Sequence, residues 1–69
     1  MLIEQVKRNL GKPVRFTNRR LYIENSRYIL TGCIIRRGEQ GFFYQAELQD
    51  INHKNSLIIC SLDEITEEK

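Results

Sequence analysis

Few side chains in this 69-residue chain are equipped for chemistry. The single histidine, His53, is the one group whose ordinary pKa lies near neutrality, and as a general base it would need a nucleophile within reach. It stands in Asp50-Ile51-Asn52-His53-Lys54-Asn55, a run of turn formers that reads as a solvated hairpin loop. That loop is too short and too poor in acids to hold calcium. Zinc would require His53, Cys33 and Cys60 to converge, yet the cysteines lie 27 positions apart and neither belongs to a closely spaced pair. Each cysteine sits in an apolar, β-branched run and reads as a small core side chain. Glu47 alternates outward with Phe43, Gln45 and Gln49, as a surface acid does, against a core set of Phe42, Tyr44, Ala46 and Leu48. The glycines at 32, 38 and 41 do not form a phosphate-cradling loop leading into a helix. The sequence therefore points to no catalytic residue, no metal, no cofactor and no small-molecule substrate.

Charge offers a different chemistry. The net charge is only +2, but residues 1 to 38 carry nine Lys or Arg against two acids, whereas residues 39 to 69 carry two Lys against seven. A first half at +7 and a second half at −5 can steer a polyanion to one surface, or can interleave if the halves pack together. Lys12, Arg15, Arg19, Arg20, Arg27, Arg36 and Arg37 are the candidate phosphate contacts. Tyr22 and Phe43, on solvent-facing strand positions, are available to stack on bases. The competing reading places these arginines at strand ends and turns, where soluble domains keep their charge.

The elements that must position these groups follow from periodicity. Leu2, Val6 and Leu10 recur every four residues with Ile3 beside them, which predicts a helix over 2–10. Glu4 is set to pair with Arg8, Gly11 suits a left-handed stop, and Pro13 forbids continuation. The period then changes to two, predicting strands over 13–17, 21–24, 28–36, 42–49 and 57–62. Asn25-Ser26 is a candidate hairpin turn between the second and third of these. Gly32 in the middle of the third marks a bulge or sharp bend. Asp63-Glu64-Ile65 could close with a helical turn, and residues 66–69 read as a frayed tail.

With 69 residues there is room for one domain and one thin core, spanning 1–69. Few cysteines and an N-terminus without an apolar stretch predict a cytoplasmic protein. No run approaches the roughly 18 apolar residues needed to cross a bilayer. The expected fold is mainly β (α+β): a short N-terminal helix followed by four or five antiparallel strands closed into a small barrel. The order of helix, Gly11-Lys12-Pro13-Val14-Arg15-Phe16, Leu30-Thr31-Gly32-Cys33-Ile34 and Leu62-Asp63-Glu64-Ile65 resembles SH3-like and Sm-like barrels, including the YolD-like bacterial proteins. The Asp…Met-Asn signature of RNA-binding Sm strands is missing, so the resemblance implies a fold and no site.

The strand over 28–36 is apolar on both faces, with Tyr28, Leu30 and Ile34 on one and Ile29, Cys33 and Ile35 on the other. A small barrel has only one inside. Ile29, Ile35 and Phe43 are therefore candidate protein-contact residues, unless the helix covers that second face. The function expected is that of a non-catalytic cytoplasmic adaptor of bacterial type, binding an unknown protein or a second copy. The alternative is a nucleic-acid-binding barrel that uses the arginine-rich first half.

Overall fold

The computed structural model describes residues 1–68; Lys69, the last residue of the expected tail, lies outside the described residues. Helix α1 (Ile3–Asn9) leads into strands β1 (Pro13–Asn18), β2 (Ile23–Gly38), β3 (Gly41–Asp50), β4 (Leu57–Ser61) and β5 (Ile65–Glu67). All pairings are antiparallel, and the strand order across the sheet is β4-β3-β2-β1-β5. The fold is mainly β, as composition and periodicity predict.

Helix α1 is shorter than expected and turned differently. Val6 is buried and Ile3 and Met1 pack against the core, while Leu2 and Leu10 face solvent. The stripe is thus i, i+3 rather than the four-residue repeat. Leu2 has no side-chain acceptor for a cap, but its N–H donates to Gln5 Oε1 at 2.8 Å. Gly11, at φ +79°, takes the left-handed position that ends the helix. Its N–H donates to the Leu30 carbonyl at 2.7 Å, tying the linker to β2. Arg8 pairs across the fold with Glu67 at 3.0 Å, not with Glu4.

The expected hairpin at Asn25-Ser26 is absent: of the expected strand over 21–24 only residues 23 and 24 are extended, and they belong with 28–36 to one strand, β2. The chain reverses earlier. A 3-10 turn, Arg19–Leu21, is capped by Asn18, whose Oδ1 accepts from the Leu21 N–H at 3.1 Å, and it ends on Tyr22 in the left-handed region at φ 56°. Asn25 does adopt a positive φ, but within a register shift of the β1–β2 ladder, where its N–H donates to Thr17 Oγ1 at 2.9 Å.

Gly32 lies at a bulge as expected: Leu30 pairs with Leu48 but Gly32 pairs with Glu47, leaving Thr31 unmatched. The extra residue inverts the alternation, because side chains change face with every residue. Tyr28 and Leu30 point into the core before it. After it, Cys33 shares a face with buried Ala46, whereas Ile34 shares the other with Gln45. The unbroken parity expected across residues 28–36 is therefore wrong beyond Thr31.

The core is a single layer between the sheet and the helix: Val6, Val14, Phe16, Tyr28, Leu30, Ala46, Leu48, Cys60 and Ile65. Phe16 and Tyr28 meet edge to face at 5.4 Å between centroids, a favourable arrangement of ring quadrupoles. Fully burying each large side chain of this set contributes about 2 kcal/mol.

The expected barrel is not closed. The outer strands β4 and β5 share no ladder, since β5 has only three residues and is spent on β1. The sheet is nevertheless rolled. Five strands laid flat would separate β4 from β5 by about 19 Å, yet the chain passes between them in one 3-10 turn, Leu62–Glu64, which advances only about 6 Å. That turn touches both β1 and β3. Residues 66–67, expected to fray, are held in β5, and Glu68 bonds Arg15 and Arg27.

Candidate interaction surface

The elements on either side of β2 and β3 are shorter than those two strands. β1 pairs with β2 only as far as Ile29, and β4 pairs with β3 only from Gln45 to Gln49. Beyond those limits Ile35–Gly38 and Gly41–Tyr44 pair with one another alone, as a two-stranded ribbon projecting from the sheet. Its turn is made possible by Gly41, at φ +119°.

The ribbon carries apolar side chains on both faces. Continuing the core face, Ile35 sits opposite Tyr44 and Arg37 opposite Phe42, with Cys33 one step nearer the core. Among the described residues no element covers this stretch, and Phe42 is 73% and Ile35 59% exposed. On the opposite face Arg36 stands against Phe43, and the Arg36 guanidinium donates to Gln45 Oε1. The Phe43 ring lies over Gly38, where an added Cβ would meet it at 3.2 Å. This seating leaves Phe43 about half exposed.

Of the expected protein-contact residues, Ile35 and Phe43 fall on this ribbon, on opposite faces. Ile29 lies in the body of the sheet, half-buried opposite Gln49. Phe42 and Tyr44 were expected in the core because their parity matches Ala46 and Leu48. The parity is right; what fails is cover, which depends on the lengths of β1 and β4. Those short lengths, five and six residues, were the available signal. Cys33, expected as core, is exposed, whereas Cys60 is buried, and burial followed by the nearby Glu64 pushes its thiol up to about 12.

The expected phosphate contacts do not converge. Arg19, Arg20 and Tyr22 occupy the turn before β2, whereas Arg36 and Arg37 occupy the far end of that sixteen-residue strand, with Phe43 opposite Arg36 on β3. Lys12 lies between, beside Leu30. Arg15 and Arg27 face each other across β1 and β2 and share the single Glu68 carboxylate, at 3.2 and 2.9 Å, which offsets one of their two charges. Tyr22 is 97% exposed on its left-handed backbone, a conformation that costs a bulky residue about 1–2 kcal/mol.

A depression of about 750 Å³ beside this turn is lined by Thr17, Arg19, Tyr22, Ile23, Glu24, Asn25 and Thr66. Of its hydroxyl groups, Thr17 Oγ1 is engaged by the Asn25 N–H at 2.9 Å. His53 Nδ1 lies 3.7 Å from Asp50 Oδ1 in the β3–β4 loop. Among the described residues no cluster of three His, Cys, Asp or Glu side chains could hold a metal ion, and no helix is long and apolar enough to cross a membrane. No protein-family model, curated protein or solved structure matches the chain.

Proposed function

We propose that this chain is a non-catalytic protein-interaction module that engages its partner through the projecting β2–β3 ribbon. The observation that carries this reading is the contiguous exposure of Ile35, Phe42 and Tyr44 on one face of a ribbon that no other element covers. Apolar side chains clustered this way gain free energy when a partner removes them from water, about 25 cal/mol per Å² of apolar area. A two-stranded ribbon presents backbone edges as well, so a partner segment can add hydrogen bonds to apolar contact. In form, the return of β5 to pair with β1 and the 3-10 turn before it support kinship with SH3-like and Sm-like folds.

The test is affinity capture from a lysate of the source organism, comparing the natural chain with an Ile35→Ser/Phe42→Ser variant. Both positions are exposed, so the variant keeps its fold by circular dichroism. The expected result is capture of specific proteins by the natural chain and their loss with the variant. Docking should also slow alkylation of Cys33, which lies on the same face. Identical capture by both chains, with no change at Cys33, refutes the ribbon as the binding surface.

A second reading, polyanion binding, is supported by one local feature: Arg19 and Arg20 exposed beside the solvent-facing Tyr22 ring. That grouping suits a single-stranded segment, with phosphates on the guanidinium groups and a base on the ring.

A further inference from the structure

We propose that β4 is an unguarded sheet edge through which two copies of this chain join, β4 against β4, about a two-fold axis at Ile59. This goes beyond the ribbon reading by naming a second surface and one partner for it, a second copy. β4 is an outermost strand, and its sequence Leu57-Ile58-Ile59-Cys60-Ser61 contains no charge, no proline and no glycine. Its ladder with β3 runs without a register shift. Soluble proteins ordinarily protect such an edge with charge, proline or a bulge. Of the other open edges, the uncovered stretch of β2 holds Arg36 and Arg37 and β5 holds Glu67, while the uncovered stretch of β3, Gly41–Tyr44, is uncharged but opens with a glycine at positive φ.

The direction of the free backbone groups follows from two hydrogen bonds. The Asp50 N–H donates to the Ser56 carbonyl at 3.1 Å, which sets the phase of the β3–β4 ladder. Because antiparallel strands alternate bonded and non-bonded pairs, Ile58 and Cys60 turn their N–H and C=O groups toward β3, and Leu57, Ile59 and Ser61 turn theirs away. The Ser61 N–H confirms the phase, since it is taken by Glu64 Oε1 at 3.1 Å rather than by β3. The outward groups that remain are both from Leu57, both from Ile59 and the carbonyl of Ser61.

This set is complementary to itself. With Ile59 opposite Ile59 of the second copy, the two residues exchange reciprocal N–H to C=O bonds. Each Leu57 then pairs with Ser61 of the other copy, its N–H donating to the Ser61 carbonyl and its carbonyl displacing Glu64 Oε1 from the Ser61 N–H, which makes six bonds in all. Leu57 and Ile59, 54% and 43% exposed, share one face with Glu47 and Gln49, so four apolar side chains close along the seam. No charge from either β4 meets its like. The two Glu47 carboxylates, one strand further in on each side, are three strand spacings or about 14 Å apart, beyond the Debye length at physiological salt. Five residues a side bury on the order of 400 Å² per copy, less than a standard-size interface, so the association is weak and is carried by its backbone bonds.

The experiment is sedimentation equilibrium from about 10 μM to 1 mM, a range that brackets the weak association expected of so small a contact. The natural chain should shift reversibly from one copy to two. Ile59→Pro removes an outward N–H and should stay single throughout with a native circular dichroism spectrum, whereas Ile58→Pro removes an inward N–H and should unfold. Ile59→Lys, which sets like charges face to face, gives a second monomeric variant should Ile59→Pro fold poorly. A natural chain that remains single at 1 mM overturns the proposal and leaves the ribbon reading standing. Assemblies larger than two, or a dimer that persists in Ile59→Lys but is lost in Ile35→Ser/Phe42→Ser, also overturn it. In the latter case the ribbon is the self-association surface.

Discussion

Replacing Asn18 with alanine tests how the rolled sheet is held at its seam. Asn18 ends β1, and its carboxamide works in two directions: Oδ1 caps the Arg19–Leu21 turn, and Nδ2 donates to Glu64 Oε2 at 2.6 Å. Glu64 in turn accepts from Ser61 with its other oxygen, so one carboxylate joins the end of β1 to the turn between β4 and β5. Losing the cap costs about 1 kcal/mol. The bond to a half-buried carboxylate is charge-assisted and contributes about 1 kcal/mol more. The sum of about 2 kcal/mol corresponds to a fall in Tm of about 8–16 °C for a domain this size. Urea unfolding of Asn18→Ala, Glu64→Ala and the double variant measures both loss and coupling. The double variant should be more stable than additivity predicts by about 1 kcal/mol. Asn18→Asp keeps the cap but sets two carboxylates together, which raises their native pKa values. The stability of this variant relative to the natural chain should therefore fall as pH rises from 4 to 7. A loss under about 0.5 kcal/mol in Asn18→Ala, with additive single variants, would refute the bridge.

Two further outcomes are expected. The Cys60 thiol, at about 12 in the folded chain against an ordinary value of 9.0, keeps its proton where the unfolded chain loses it. Stability should thus fall as pH rises above 9, by up to about 1.4 kcal/mol per pH unit. Tyr28, raised by burial and then by Asp50, adds in the same direction. Urea midpoints from pH 8 to 11 check this, and Cys60→Ala should flatten the slope; Ellman's reagent should meanwhile find one fast thiol, Cys33, and one that reacts only on unfolding. Glu68→Gln releases Arg15 and Arg27 and, because these are half-exposed ion pairs, should cost less than about 1 kcal/mol. In the polyanion reading, Glu68→Gln also strengthens oligonucleotide binding at low salt, and that binding weakens steeply as salt rises. Unchanged or absent binding at low salt removes that reading.

Local signals carried most of the fold into the sequence. Gly11 and Pro13 ended α1 where they should, the alternation of residues 42–48 placed β3 correctly, and the glycine at 32 marked a real bulge. The misreadings share a cause, since each turned on which residues lie across from a segment rather than within it. Asn25 has the conformation of a turn residue, but Thr17 of the neighbouring strand holds it in a bulge, and the reversal falls to a 3-10 turn with no Gly or Pro to announce it. Counting parity straight through Thr31 misplaced Ile34 and Cys33, because an unpaired residue changes face without changing composition. Phe42 and Tyr44 read as core because their alternation is that of core residues, and only the stopping points of β1 and β4 expose them. The charge asymmetry was legible as well. Its partial cancellation through Glu68 was not, because that residue joins Arg15 and Arg27 only once β5 has returned to β1.

Ile65 fills the centre of the core from the last strand, and the turn that delivers it is also what brings the two borders of the sheet together. During synthesis, then, the hairpin of β2 and β3 can form early from neighbouring residues, but the interior stays open to water until residue 65 has cleared the ribosome. Phe16 must wait for a ladder partner made 49 positions later. A polypeptide of this kind acquires its stability in a single late step, and a truncation just upstream of Ile65 should yield a nascent chain that proteases recognise as unfinished.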